Sequence, residues 1–251
     1  MKYIVIFSFL LIGGCAVSTQ TSFIPTIERI KLSIVPIVCA EIKPGGTAAE
    51  IKSIEGSGFI IADDGTFLTA DHVLSQMENA KRTTPCPLAA LYLPQGGWRL
   101  DAPRFQIDFF RFAPKDCTRS KEIDLAACKS PRQFKSGTVM PAVFDSSIQA
   151  DGTPIAFTGF PLNYTVPLSS IGTVSGYMTV QDERGPREII MDKAAWPGAS
   201  GSPIYLQDGK VVGILVLRGI GDGSGRAIGR PSRFIQEFLT SAKEKKNPSE
   251  K

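Results

Sequence analysis

The sequence predicts an all-β fold: two antiparallel β-barrels side by side, followed by one C-terminal α-helix. Three observations carry this prediction. Short apolar or alternating runs, most of them bounded by Gly, Pro, Asp or Asn, recur along the 251 residues and form two sets that part near residues 130–140. No alternation of strands with long amphipathic helices is present, which argues against a parallel α/β sheet. Glycine (24) and proline (18) are spread along the chain, as many strands joined by turns require.

The elements follow in chain order. Lys2 and the twelve-residue apolar run "YIVIFSFLLIGG" are too short to span a bilayer and read as a signal peptide over residues 1–14. The run ends in "IGGCA", which resembles the lipobox of bacterial lipoproteins, with Ile12 standing where Leu is more usual. That resemblance implies cleavage before Cys15, lipidation of Cys15 and a lipidated tether over residues 15–28. The chain is then expected to be an exported bacterial membrane lipoprotein facing the periplasm or the cell exterior. A plain secretory signal is the alternative. Ala16 is not the Asp that marks inner-membrane retention in enteric bacteria, and the choice of membrane stays open.

The first set of strand-like runs is "SIVPIVCAEI", "GSGFIIA", "TFLTA", "ALYLP", "FQIDFFRF" and "IDLAAC". The second is "TPIAFTGFP", "IGTVSGYMTV", "REIIMD", "SPIYL" and "KVVGILVL". "ADDGT" (62–66) and "QDGK" (207–210) put Asp-Gly between such runs, a strong local hairpin signal. "PSRFIQEFLTSAKEK" reads as a helix capped by Ser232, with Phe234, Ile235, Phe238 and Leu239 on one face. "KKNPSEK" reads as a disordered tail.

Composition excludes several functions. The net charge of +4 is modest, and no basic stripe is interleaved with aromatics, so no nucleic-acid partner is expected. With Cys15 set aside, Cys39, Cys86, Cys117 and Cys128 are an even number, which permits two disulfides in any of three connectivities. Cys39, inside an apolar run, could equally be a buried thiol. No pair has C-x-x-C spacing, and the single histidine cannot complete a zinc set while doing other work. No metal and no cofactor are expected.

That single histidine, His72 in "FLTADHVL", constrains the chemistry. A neutral hydroxyl is a poor nucleophile; it needs an adjacent base, and the base needs a third group to fix its tautomer. "WPGASGSPIY" offers Ser200, flanked by glycines in a turn ahead of a buried strand, where backbone N–H groups can converge on an oxyanion. Serines directly between glycines occur at Ser57 and Ser224, which read as turn residues. Chain order separates the possibilities. An α/β-hydrolase places His last, and no G-x-S-x-G elbow precedes residue 72. A subtilisin-type order needs an acid before His72, where Asp63 and Asp64 look like hairpin residues. The order His, acid, Ser remains.

Three segments now carry a family resemblance. "GSGFIIADDGTFLTADHVL" is similar to the histidine segment of trypsin-like peptidases, "EIDLAAC" to their aspartate segment, and "WPGASGSPIYLQDGKVVGILV" to their serine segment. Bacterial members, glutamyl endopeptidases and Htr-type protease domains without a PDZ domain, resemble it most. The resemblance implies a chymotrypsin-like fold of two six-stranded barrels, about 29–135 and 136–230, within a peptidase domain over 29–240, with a disordered tail over 241–251. It implies a serine endopeptidase acting on a protein or peptide, with Ser200 as nucleophile, His72 as base and Asp124 as its orienting acid. The N–H groups of Gly198 and Ser200 would form the oxyanion hole. Glu122, Asp108 and Asp116 are the other acids near the aspartate segment; strand alternation, setting Asp124 opposite Ile123 and Leu125, favours Asp124.

Departures sharpen the expectation. Ala199 replaces the Asp that pairs with a new amino terminus in zymogens, so no activating cleavage is expected. Asp71, directly before the base, is read as a helix cap. By alignment, Ala194, Ala195 and Trp196 lie at the base and wall of the specificity pocket, and Val216, Leu217 and Arg218 form the opposite wall. No acid lies at the base, which disfavours Lys or Arg before the cut; a small or apolar residue is expected, or an acidic one recruited by Arg218. The competing reading is a catalytically inactive trypsin-fold lipoprotein that binds or scaffolds. Action on esters and a non-enzymatic surface antigen are further alternatives. Oligomeric state is left open.

Overall fold

The computed structural model describes residues 22–44, 49–79, 81, 83, 85–94, 98, 107–131, 139, 141–179, 187–216 and 226–246. Cys15, Leu217, Arg218 and Ser224 lie outside them. No helix among the described residues is long and apolar enough to cross a membrane.

The amino-side half is an antiparallel sheet. It comprises β1 (Ile34–Ile42), β2 (Ala49–Ile60), β3 (Thr66–Thr69), β4 (Leu88–Pro94), β5 (Ile107–Arg111), β6 (Thr118–Ser120) and β7 (Leu125–Lys129) in the order β5-β4-β1-β2-β3-β7-β6. Six of these strands correspond to the expected runs. The seventh, β6, is a three-residue arm folded onto β7, too short to show periodicity in sequence. The end strands β5 and β6 do not pair among the described residues, so this half is a half-barrel. The carboxyl-side half closes. It comprises β8 (Pro154–Gly159), β9 (Leu168–Met178), β10 (Glu188–Met191), β11 (Pro203–Tyr205), β12 (Val211–Leu215) and β13 (Ile228–Pro231), in the ring β10-β13-β12-β11-β8-β9. β13, "IGRP", was not legible as a strand because glycine and proline interrupt it; it is buried and pairs with β10 and β12.

Both Asp-Gly turns form hairpins, β2–β3 through Gly65 (φ 85°) and β11–β12 through Gly209 (φ 90°). β1 is buried along most of its length and lies between β2 and β4. Pro36 is tolerated there because β4 pairs only from Ile37 onward, so no ladder partner needs its missing N–H. The disulfides are Cys39–Cys86 and Cys117–Cys128. They select one of the three connectivities and leave no free thiol at Cys39.

Three helices complete the fold. α1 (Ile24–Lys31) falls partly in the expected tether. Pro25 opens it, Thr26 and Ile30 are buried, and the Thr26 hydroxyl donates to the Gln207 carbonyl of the β11–β12 hairpin. Phe23 packs edge-on against Tyr205. The polar composition of this stretch concealed one apolar stripe that packs into a core both halves share. α2 (Asp71–Glu78) follows β3 directly. α3 (Ser232–Lys246) buries Ile235 and Phe238, and its run through residues 241–246 replaces the start of the expected tail, since "SAKEKK" is rich in helix formers. Ser232 does not cap it: its hydroxyl donates to the Asp145 carbonyl.

Candidate active site

His72 is carried by α2. Ala70, in extended conformation, occupies the N-cap without a side-chain bond, so Asp71 is the first helical residue and not the cap. Its carboxylate is buried against Arg119 of β6. Arg119 donates through Nε to Asp71 Oδ1 at 2.5 Å, and through its other nitrogens to Ser75 Oγ at 2.6 Å and Glu78 Oε2 at 2.5 Å. The accepting carboxylate of Asp71 holds the Arg119 guanidinium above its ordinary range. A single side chain of the β6–β7 hairpin thereby fastens the helix that bears His72.

The same hairpin bears Asp124. It is not a strand residue: it ends the turn at residues 121–124 in left-handed conformation (φ 55°), which aspartate tolerates better than most residues. Turn geometry, not strand alternation, sets its direction. Asp124 Oδ2 lies 2.7 Å from His72 Nδ1, and Oδ1 accepts the His72 backbone N–H at 2.9 Å. A carboxylate can only accept, so Nδ1 carries the proton and Nε2 keeps its lone pair. Asp108 lies in β5 and Asp116 in the 3₁₀ turn Pro114–Asp116. Two arginines from the second barrel hold the turn: Arg187 donates to the Glu122 carbonyl and buried Arg230 to the Ile123 carbonyl, both at 3.0 Å. Cys117–Cys128 closes the base of the hairpin.

Ser200 sits in the loop between β10 and β11, itself buried. The loop's peptides are trans, so each N–H points opposite the carbonyl of the preceding residue. The Leu162 N–H holds the Pro197 carbonyl at 2.7 Å, which turns the Gly198 N–H the other way. The Ser202 N–H holds the Ala199 carbonyl at 3.1 Å and turns the Ser200 N–H likewise. Among the described residues neither the Gly198 nor the Ser200 amide donates to a protein acceptor. Gly198 adopts φ +93°, and a Cβ there would lie 2.3 Å from the Phe160 carbonyl oxygen. Gly201, at φ +89°, passes as closely over the Ser57 carbonyl.

His72, Gly198 and Ser200 line one cleft of about 510 Å³, together with Ile54, Glu55, Gln76, Leu162, Asn163 and Pro197. Ala194, Ala195, Trp196 and Val216 do not line it. Val216 is fully buried, Ala195 packs on the second barrel's core, and Trp196 is exposed. The lining residues missed in sequence are Ile54 and Glu55 of β2, Gln76 of α2, Leu162 and Asn163 of the turn after β8, and Pro197. Leu162 and Asn163 both have positive φ, 54° and 61°, a conformation that asparagine tolerates but leucine does not announce. Ser57 was misread as a turn residue. It is wholly buried in β2, where its N–H donates to the Ser200 carbonyl at 2.7 Å and its hydroxyl bridges Gly198 and Phe160. The glycines on either side are crowded by other neighbours: a Cβ at Gly56 would lie 2.6 Å from Val73 of α2, and one at Gly58 would lie 2.9 Å from the Leu68 carbonyl oxygen of β3.

Residues 56–214 match the family model described as "Trypsin-like peptidase domain". The chain is 27% identical over 226 residues to mouse (Mus musculus) serine protease HTRA4, covering 85% of this chain and 39% of that protein. It is 26% identical over 241 residues to rat (Rattus norvegicus) serine protease HTR4, covering 90% and 42%. It thus spans about two-fifths of the length of these curated relatives. Among solved structures, the active form of the Rv3671c protease from M. tuberculosis superposes with a TM-score of 0.59 at 16% identity, covering 86% of this chain and 83% of that one, a likeness of fold.

Proposed function

The chain belongs to the trypsin-like peptidase domain family, and on that premise we propose that it is a serine endopeptidase acting through His72, Asp124 and Ser200. The observation that carries the reading is the two-point grip of Asp124 on His72 at the edge of a cleft that also holds Ser200 and two unengaged amides. Ser200 Oγ attacks the scissile carbonyl while His72 Nε2 takes its proton. The carbonyl oxygen, now an anion, accepts from the N–H groups of Gly198 and Ser200. Collapse breaks the C–N bond, and the imidazolium returns its proton to the leaving amine. Water, deprotonated by the same imidazole, then hydrolyses the acyl-serine and restores the hydroxyl. Asp124 stays ionised throughout and stabilises the imidazolium.

The second part of the proposal is a lipid anchor at Cys15 in the bacterial envelope, supported by the apolar run and "IGGCA". Acyl chains would hold the domain at a membrane, each buried methylene contributing about 0.8 kcal/mol. Labelling with a fluorophosphonate tests the first part. Wild-type protein should label at Ser200 and cleave peptides, and Ser200→Ala and His72→Ala should do neither. A folded wild type that neither labels nor cleaves, or an active Ser200→Ala, refutes it. Incorporation of labelled fatty acid, lost in Cys15→Ser, tests the second; unlabelled wild type refutes it.

A further inference from the structure

We propose that Ser57 is a positioning residue for hydrolysis: its hydroxyl holds the oxyanion-binding loop in the conformation that presents the Gly198 N–H. The inference rests on the triad reading above. Ser57 lies behind the cleft and has no exposed surface, so it does not reach substrate. Its hydroxyl is engaged at both ends, donating to the Gly198 carbonyl at 2.7 Å and accepting the Phe160 N–H at 2.8 Å. Its own carbonyl accepts from Thr69 Oγ1 at 2.8 Å, which fixes β2 beneath it.

These bonds join the two segments on which the Gly198 amide depends. The direction of that amide is set on one side by the Leu162 N–H on the Pro197 carbonyl, and Leu162 lies two residues after Phe160. On the other side the Gly198 carbonyl is held by Ser57 itself. Gly198, like Gly201 further along the loop, is a glycine at positive φ, so its backbone can rotate without a side-chain penalty. Leu162 is held in a left-handed conformation (φ 54°) that its side chain disfavours, so this segment needs an external tether. Removing the Ser57 hydroxyl leaves the partly buried Gly198 carbonyl and the buried Phe160 N–H without this partner and loosens both clamps together. The Pro197–Gly198 peptide can then turn its N–H away from the substrate oxygen.

A residue that acts this way affects the transition state and leaves ground-state binding alone. The test uses the full chain with Ser57→Ala, Ser200→Ala and the double variant. Measurements are kcat and KM per folded molecule, the affinity for a peptide boronic acid, which forms a tetrahedral adduct on Ser200, and the Kd of the uncleaved peptide on the Ser200→Ala background. For Ser57→Ala, kcat should fall about 10- to 100-fold, less than the about 10²–10³-fold of a donor wholly lost. Boronic acid affinity should fall by the same factor, while KM and the peptide Kd stay within twofold. A kcat within threefold of wild type, or a loss carried by KM and Kd, overturns the proposal. Should Ser57→Ala not fold, Ser57→Cys, nearly isosteric and a weaker donor, is held to the same criteria. An active Ser200→Ala sinks the triad reading; an inactive Ser200→Ala beside a fully active Ser57→Ala sinks only this one.

Discussion

Replacing Gly198 by alanine tests whether the loop geometry, and not merely the presence of a serine and a histidine, produces activity. The added Cβ would lie 2.3 Å from the Phe160 carbonyl oxygen, 3.3 Å from its carbon and 3.4 Å from Pro161 Cα. All three are backbone atoms, so no side chain can swing aside. An unstrained C···O contact needs about 3.3 Å, so the loop and the Phe160 segment must separate by about 1 Å. Alanine at φ +93° adds about 1–2 kcal/mol of its own. Oxyanion donors act over about 2.7–3.1 Å, and a displacement of this size removes the Gly198 N–H from that window. The expected result is a kcat lower by about 10²–10³-fold, equivalent to 2.7–4 kcal/mol, with KM little changed. The melting temperature should fall by roughly 2–8 °C. Steady-state kinetics on a peptide substrate, with circular dichroism to count folded molecules, reads both effects. A folded Gly198→Ala variant with kcat within tenfold of wild type refutes the assignment of this amide.

Other regions give independent checks. Loop-closure entropy assigns about 4 kcal/mol to Cys39–Cys86, which spans 47 positions, and about 3 kcal/mol to Cys117–Cys128, which spans 11; denaturant unfolding of the two paired Cys→Ala variants should rank them in that order, and the second should also lower kcat because its hairpin carries Asp124. Arg230→Met keeps apolar bulk but removes the donors to the Ile123 and Arg187 carbonyls and the charge 3.8 Å from buried Glu188. Unfolding free energy should drop by about 3–5 kcal/mol, and a loss below 1 kcal/mol contradicts the packing described. Asp64, held by Thr66 and Lys129, has its pKa lowered to about 2 from 3.8. Its charge therefore contributes stability above about pH 4 that is lost as pH falls toward 2. The stability difference between wild type and Asp64→Asn should be present at neutral pH, small because the carboxylate is half exposed, and should shrink as pH falls through 2 and vanish below it.

How much was legible can be argued from particular residues. Period-two runs bounded by turn residues located most of the strands, because a half-buried strand must alternate or run apolar. β6 and β13 escaped, one too short to show a period and the other broken by Gly229 and Pro231. α1 escaped because its composition is polar, although Phe23 and Ile30 pack into a core that both halves share. The solitary histidine restricted the chain order of any triad before a fold was considered. Asp124 was named by the family resemblance of its segment and preferred over the neighbouring acids on a strand argument that does not hold, since a positive-φ turn directs it. Asp71 was taken for a cap because nothing local reveals Arg119, 48 positions away, which pairs with it.

The sequence by itself determined the alternation of strands and turns, the Asp-Gly hairpins, the apolar face of α3 and the types of residue capable of hydrolysis. These are local properties, written in periodicity, in the φ preferences of glycine and in the chemistry of single side chains. Only the tertiary structure decided which cysteines pair, which carboxylate grips His72, where the cleft runs and which groups Ser57 bonds. Each of those depends on groups far apart in the chain meeting within about 3 Å, a distance set by the packing of one sheet against the other and carried by no local pattern of residues.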